Sequence, residues 1–545
     1  MRYLSQIFQP VITIPRDAII KNTEITCKSQ KLLLECGLVR PTSAGFFTIL
    51  PLARRVLNKL ETLVHHCMEE IGAQRMSLPS LTAAKLWEKT GRLQDIGVEL
   101  LKVEDRHGKK YVLSPTHEEA MADLLADIGP LSYKQLPLLL YQISNKFRDE
   151  PRPKHGLLRS REFSMLDAYG AHTTHACASE TYDRVTNTYR KLFDTLQLPI
   201  HRVAAPSGAM GGTLSHEWQL TADTGEDILD MCLKCDRVVR AETVNDVCDK
   251  CASEMKRVNS IEVGHTFVLG ERYSAALGAH YTARETTPTP IYMSCYGIGI
   301  TRLLAASVEA LGNDKALRWP DAIAPYRLLI IGPKEGSKEW SIGGWEEVQR
   351  LGQELEQVGL AGDVLLDDKH THTIGRRMKA ADRMGYPIIV VCGRSTTENP
   401  PKYELYTSKA VGYTAPILLT RTELITEVAR IARNGNIDIQ LASKRLYVLG
   451  FHGFSPTISY RTGFRGFYYQ CRNKSGMSNY VVEAPAGPGP GGARISPVNI
   501  ENASYSVLKR YNDIVKSKED KREYRILETV VDPVHELAGS TGEIP

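Results

Sequence analysis

Two groups of residues in this 545-residue chain have the types and spacing to do chemistry. The first is a pair of CxxC steps, Cys232/Cys235 and Cys248/Cys251, within MCLKCDRVVRAETVNDVCDKC. Four thiolates at this spacing make a tetrahedral zinc set that leaves no open coordination position, so the metal chemistry there is structural. The second group is spread over three pieces: KFRDE at Lys146–Glu150, LLRSREFSMLDAY from Leu157, and GIGITR at Gly297–Arg302. Arg148 can neutralise a phosphate by forked hydrogen bonds. Glu150 can accept from an exocyclic amine, and Phe163 offers a flat face to a base. Gly297–Arg302 places small residues at a strand-to-helix turn and an arginine just inside the helix. That suits close backbone approach to a nucleotide and a charge for its terminal phosphate. Each piece alone is common turn or chance chemistry; their joint order carries the argument.

These pieces need elements to hold them. Residues from about Glu24 to Pro325 read as one dense block. LARRVLNKLETLVHHCMEEIGA has helical apolar spacing and ends near Gly72. RMSLPSLTAAKLWEKTG reads as strand, turn and helix. KKYVLSPTHEEAMADLLADI reads as strand, turn and helix, with Ser114 or Thr116 near the N-cap. LPLLLYQISNKFRDE is a long strand and REFSMLDAYGAH its return. Arg159, Phe163 and Asp167 fall at i, i+4 and i+8, hence on one side of a strand. PIYMSCYGIGITRLLAASVEAL is a strand, a glycine turn and an apolar helix. RWPDAIAPY, Arg318–Tyr326, reads as an exit linker. Beyond it YRLLIIGPK, GDVLLDD, YPIIVVCG and APILLTR are strands interleaved with helices, which implies an α/β domain on a mixed or parallel sheet. The pattern changes near Asn434. Residues 435–545 hold aromatic and basic clusters, a Pro/Gly stretch and a charged helical segment at Ser506–Ile526.

The totals fit that division. A chain this long takes two to four domains. Its 42% apolar and 24% charged residues are ordinary for a soluble globular protein. No run of about 18 uncharged apolar residues suggests a membrane span. The net charge of +5 permits a nucleic-acid partner without demanding one. Eleven cysteines, scattered apart from the CxxC pairs, fit a reducing compartment. The sequons at Asn473 and Asn502 then read as chance. The first 24 residues are acid-poor and partly apolar, as in an organellar presequence, though a frayed cytosolic start fits them equally.

The motifs resemble those of class II aminoacyl-tRNA synthetases. Motif 1 would be the long helix running to SLPSL with Pro79, motif 2 FRDE with the return strand, and motif 3 GIGITR. LSPTHEEAMADL, LSYKQLPLLLYQISNKFRDEPRP, IEVGHTFVLG and RWPDAIAPY narrow the resemblance to bacterial-type prolyl-tRNA synthetases. Within these it is most similar to the mitochondrial members, which also carry a paired CxxC segment here. The resemblance covers roughly residues 25–434. It implies an α+β catalytic domain on an antiparallel sheet (25–325) with a four-cysteine zinc-ribbon insertion (232–251), an α/β anticodon-binding domain (326–434) and an unassigned extension (435–545).

The resemblance also implies roles. Arg148 would contact the ATP α-phosphate and the activated carboxyl. Glu150 would hold the adenine amino group, Phe163 would stack on the adenine and Arg302 would take the γ-phosphate. Thr116 and Glu118 would bind the proline imino group; His265 and Cys295 would line the proline pocket. The substrates would be ATP, L-proline and tRNA(Pro), with Mg²⁺ accompanying ATP and structural Zn²⁺ on Cys232, Cys235, Cys248 and Cys251. Glu217 and Glu226 are candidate Mg²⁺ ligands, against a plain reading of each as a surface acid. A homodimer through motif 1, no membrane, and the mitochondrial matrix (alternatively the cytoplasm) complete the expectation. Only the ribbon and about ten further residues stand where many bacterial relatives carry an editing domain. That falls below the roughly 50 residues of an independent domain, so no editing in cis is expected.

Plainer readings stand beside these. His117 reads as a helix-start hydrogen bond, Cys295 as pocket wall and His370-x-His372 as a solvated loop. Arg376, Arg377 and Lys379 are candidate RNA contacts or a merely exposed basic helix. The isolated cysteines read as space fillers. A synthetase-like accessory protein without catalysis would be expected to lose Arg148, Glu150 and Arg302. A zinc-ribbon nucleic-acid binder would not need them. All three are present.

Overall fold

The computed structural model describes residues 2–10, 25–96, 98–241, 247–284 and 287–434, and three strands beyond them. Two compact units result, Met1–Ile437 and Asp438–Pro545. In the second, Thr457–Ile458, Gly466–Asn473 and Gly476–Glu483 form an antiparallel three-stranded sheet. The helix expected at Ser506–Ile526 lies outside the described residues, as do residues 11–24 of the N-terminal segment.

The first unit is built on a nine-stranded sheet. Its path runs Ile200–Ala204, Leu214–Thr221, Met255–Gly270, Tyr292–Gly299, Glu162–His172, Leu138–Phe147 and Gln74–Arg75. Neighbours along it are antiparallel except the last pair. Period-two alternation splits the side chains between two faces. Ser294 and Tyr296 belong to the face that carries the helix His175–Thr195, whose Tyr189 and Phe193 rings pack on Trp218. The helix Pro51–Glu70 starts on a proline at its first turn, which that position tolerates. It buries Leu52, Val56, Leu60, Leu63 and Val64 on one stripe, and the chain leaves through Gly72 at φ +77°.

Two strands, Asp227–Cys232 and Val238–Arg240, are added to the amino-terminal half of the long strand Met255–Gly270 and carry the cysteine ribbon. Because Asp227–Cys232 pairs directly with Met255–Ser260, the insertion closes on itself as a hairpin extension.

A six-stranded mixed sheet follows. Leu328–Ile331 lies between Val364–Asp367 and Ile388–Val391, all parallel, with Lys402–Thr407 and Ile417–Thr420 added antiparallel. The runs of the three parallel strands are buried on both faces, as parallel strands covered by helices must be. Two strands have no counterpart in the sequence expectation: Lys402–Thr407, and the N-terminal Arg2–Tyr3, which pairs parallel with Val364–Asp367. The Tyr3 hydroxyl accepts from Gln349 at 2.8 Å, and its ring lies 5.8 Å from Trp345. The stretch Arg318–Tyr326 is packed rather than loose: Arg318 is buried and bonds Asp382 at 2.6 Å, and Trp319 donates to the Met384 carbonyl. Lys59 and Arg55 from the long helix reach Asp363 at 2.7 and 2.6 Å, which fixes the second sheet against the first.

Candidate active site

Strand register assembles the open face of the large sheet. Gly297 pairs with both Asp167 and His265; Cys295 pairs with Tyr169 and Phe267; Glu217 pairs with His265, and Gln142 with Asp167. A side chain at 297 would press on Met165 at 3.2 Å, so the glycine keeps the floor flat.

At one end lies the nucleotide constellation. The Arg148 guanidinium stands 5.3 Å from the centroid of the Phe163 ring, and it makes no hydrogen bond or ion pair among the described residues. Arg302, in the first turn of Ile300–Leu311, donates to the carbonyls of Leu158 at 2.9 Å and Glu262 at 3.0 Å. Glu150 is engaged by Arg159 at 2.8 Å. Burial alone would raise the Glu150 carboxyl, but the Arg159 hydrogen bond, the Arg152 amide and the Arg159 charge together hold the group below its ordinary value.

The placement of Arg159 corrects an expectation. The return strand begins at Glu162, after a turn in which His155 and Gly156 are both left-handed, so Arg159 precedes the strand and does not share its face. It bridges Glu150 and Glu226, the latter at 2.6 Å. Glu226, also held by Lys154, is a half-exposed acid, as its plain reading has it. Glu217 is not a surface acid: it is buried, and its carboxylate lies with Glu262 and His265 in a cluster whose candidate ligand atoms are all within 4.8 Å.

At the other end is a largely buried polar cluster. Glu118 and Glu119 open the helix Glu118–Asp127, and both are buried beside Arg92, at 3.5 and 3.0 Å from its guanidinium. The N-cap is His117, so neither Ser114 nor Thr116 takes that place, and no side-chain cap bond forms. Thr116 Oγ1 instead lies 3.5 Å from both terminal nitrogens of Arg92. Glu118 Oε2 is buried and accepts no hydrogen bond among the described residues. Cys295 forms part of the wall; burial, with Glu118 nearby, pushes its thiol well above the ordinary range. His265 bonds Ser215 at 2.6 Å and Glu262 at 3.0 Å and stacks on Phe267 at 3.9 Å, so it stands between the pocket and the acid cluster.

A second layer holds the pocket. Asp167 accepts from Lys146 at 2.5 Å, Gln142 at 2.9 Å and the Tyr169 hydroxyl at 2.8 Å. Burial would raise its carboxyl, but the hydrogen bond from His117 and the Lys146 charge outweigh that and lower it. His117 therefore does more than start a helix: its ring touches Gln142 and the Pro79 carbonyl, and its backbone N–H donates to Tyr169.

The four ribbon cysteines come together, with Sγ–Sγ separations of 3.4 Å (Cys232–Cys251) and 3.7 Å (Cys235–Cys248). The backbone amides of Lys234 and Cys235 donate to the Cys232 sulfur, and that of Lys250 donates to Cys248. This donor set of four soft sulfurs fits zinc.

Elsewhere, Cys27, Cys36 and Cys392 are buried, in keeping with space filling, while Cys177 lies 3.6 Å from His172. The loop at Lys369–Thr373 is half-exposed, and within it the His370 ring lies 4.8 and 4.3 Å from those of Trp340 and Trp345. Arg377 is buried and bonds the Gly332 and Asp367 carbonyls, which leaves Arg376, Lys379 and the Glu35-paired Arg383 as the exposed cations of that helix. Among the described residues no helix is long and apolar enough to cross a membrane. Sequence reading alone does not single out Arg92, Tyr169, Glu262 or Arg240, which reach the site from distant parts of the chain. Only Glu262, three residues before His265, has a local signal.

Comparison with known proteins agrees with this geometry. Residues 101–311 match the tRNA synthetase class II core domain (G, H, P, S and T), and residues 328–412 match the anticodon binding domain. The Rattus norvegicus protein named "Probable proline--tRNA ligase, mitochondrial" is 43% identical over 412 residues, 74% of this chain and 86% of the relative. The proline--tRNA ligase of Sulfurimonas denitrificans is 35% identical over 398 residues, 68% of this chain and 89% of its own. The fold is shared with the Giardia lamblia prolyl-tRNA synthetase solved with prolyl-adenylate, at TM-score 0.63 and 18% identity, over 78% of this chain and 81% of that one. With both of its domains matched, the chain belongs to the proline--tRNA ligase family of class II aminoacyl-tRNA synthetases.

Proposed function

We propose that this chain ligates L-proline to tRNA(Pro) in two steps, through prolyl-adenylate, in the mitochondrial matrix and without editing in cis. The observation that carries the reading is the pairing of two incomplete groups: a buried Glu118 oxygen without a hydrogen bond, and an Arg148 guanidinium without a hydrogen bond or ion pair, among the described residues. A buried acceptor left open is costly unless a ligand completes it. A secondary ammonium fits the first and a phosphate fits the second.

In this reading Thr116 and Glu118 hold the proline nitrogen, and Cys295 and His265 bound the ring. Phe163 stacks on adenine, Glu150 accepts from its amino group, Arg148 neutralises the α-phosphate and Arg302 the γ-phosphate. The proline carboxylate oxygen attacks the α-phosphorus, and pyrophosphate leaves with the electron pair of the bridging oxygen. The terminal ribose hydroxyl of the tRNA then attacks the prolyl carbonyl, loses its proton, and AMP departs. Positioning and charge stabilisation suffice, and no protein nucleophile is required. Of the cluster Glu217, Glu262 and His265, the two carboxylates offer hard oxygen donors for Mg²⁺, which would neutralise phosphate charge. Cys232, Cys235, Cys248 and Cys251 would hold structural Zn²⁺.

The matrix location is supported by the mitochondrial designation of the Rattus norvegicus relative. The absence of editing is supported by the hairpin that closes the insertion. By the family resemblance, two copies pair through the motif 1 region; the mass of the purified protein in solution tests this. Proline-dependent ATP–pyrophosphate exchange tests the activity. No exchange from folded protein would favour a non-catalytic accessory role, and deacylation of alanyl-tRNA(Pro) would overturn the editing statement.

A further inference from the structure

We propose that Arg240 is a positioning residue of the nucleotide site, set in place by the cysteine ribbon. The inference rests on the reading above, in which Glu217 and Glu262 face the metal that accompanies ATP.

Arg240 closes the three-residue strand Val238–Arg240, the outer strand of the ribbon hairpin. Its guanidinium does not serve the ribbon. One terminal nitrogen donates to Glu217 Oε1 at 2.5 Å, and the other lies 3.4 Å from Asp227 Oδ1. Gln219 completes the frame, donating to Glu217 Oε2 at 2.9 Å and to Asp227 Oδ2 at 3.1 Å. Both oxygens of the buried Glu217 are thus oriented by fixed donors, with lone pairs left over for a further partner. Glu217 in turn faces Glu262, which lies 3.6 Å from Arg302. Two carboxylates this close repel unless a cation is shared between them. Arg240 offsets that repulsion on the Glu217 side and Arg302 on the Glu262 side. The cluster therefore stays assembled and ready for a divalent ion.

What holds Arg240 is the ribbon. A three-residue strand paired on one side to Asp227–Cys232 is too short to persist unaided. Its far end is fixed twice. Arg237 forms a two-point pair with Asp249 at 2.9 and 2.7 Å, and the four cysteines link the turn at 232–235 to the turn at 248–251. A cross-link there restrains the hairpin close to Arg240. The ribbon and the catalytic face then share one lever, with Cys235 at one end and Glu217 at the other.

The test uses the full-length protein. Binding of Mn²⁺ together with a non-hydrolysable ATP analogue is measured by electron paramagnetic resonance, alongside the Mg²⁺ dependence of ATP–pyrophosphate exchange. Arg240→Ala should raise the half-saturating metal concentration at least fivefold with KM for proline unchanged, and Arg240→Lys should recover part of the shift. Cys248→Ser should produce the same shift, and combining it with Arg240→Ala should add little, because both act through one link. Metal dependence within twofold of wild type in Arg240→Ala, or fully additive effects in the double variant, would overturn the proposal. If Arg240→Ala fails to fold, Arg240→Lys and Cys248→Ser decide on the same readouts. Glu217→Gln separates the two layers. A shift in Glu217→Gln with none in Arg240→Ala leaves the metal reading standing and removes Arg240. No shift in either removes the metal reading itself.

Discussion

Glu118 and Arg92 stand 3.5 Å apart in a buried pocket, yet the carboxylate oxygen nearest the guanidinium accepts no hydrogen bond. Arg92 is committed to Glu119 and is held under the Trp87 ring at 4.8 Å. In the proposed reading this oxygen is the one left for the proline nitrogen. Glu118→Gln removes the charge but keeps the shape. A charged hydrogen bond contributes about 1.5–3 kcal/mol, so KM for proline should rise roughly 10- to 150-fold while KM for ATP stays near wild type. Steady-state exchange kinetics check this, and an equal rise in both constants would remove Glu118 from the proline site.

Arg148 has a different signature. Its charge is needed where negative charge develops, so Arg148→Ala should lower kcat for exchange by roughly 10²–10³-fold, the range for a preorganised stabilising group. Far-UV circular dichroism should be unchanged. Retention of more than a tenth of wild-type exchange would refute the phosphate role.

Much of this site can be read from adjacent residues. Arg148, Glu150 and Phe163 sit on or beside two paired strands, and Arg302 follows a glycine turn, so short motifs record them. Arg92 and Arg240 act across the fold, and nothing in their immediate neighbours says so. Arg159 is misplaced when strand periodicity is carried back through a left-handed turn at His155 and Gly156. Arg377 reads as basic and exposed, but its position on the inner side of its helix turns it toward backbone carbonyls. Lys402–Thr407 escapes because KYELYT is short and carries two charges, which reads equally well as loop.

Acid should act on Glu262. Burial alone would raise its carboxyl, but the His265 hydrogen bond and the charges of Arg302 and Arg148 bring it down to about 2. A depressed carboxyl contributes stability that is complete above its unfolded value of 4.5 and is lost as pH falls toward 2. Between those limits wild type should lose stability more steeply than Glu262→Gln. Urea unfolding at pH 5 and pH 3 checks this, and parallel slopes would contradict it.

The ribbon should carry one zinc ion per chain, read by elemental analysis of purified protein. Cys248→Ser should lose that ion and lower the thermal midpoint, since structural zinc contributes its binding energy to folding. Full zinc content in the variant would exclude this cysteine as a ligand.

The N-terminal strand has a consequence for the order of assembly. Arg2–Tyr3 occupies the outer edge of a sheet whose next strand, Val364–Asp367, emerges from the ribosome far later. Arg2–Tyr3 therefore has no partner strand until Val364–Asp367 is in place, with the whole catalytic core lying between them in sequence. Closure of so long a loop is a slow, late event. A fragment that begins at residue 326 would present Val364–Asp367 as a bare edge, open to pairing between chains. The anticodon-binding sheet is thus finished by a segment from outside its own stretch of sequence.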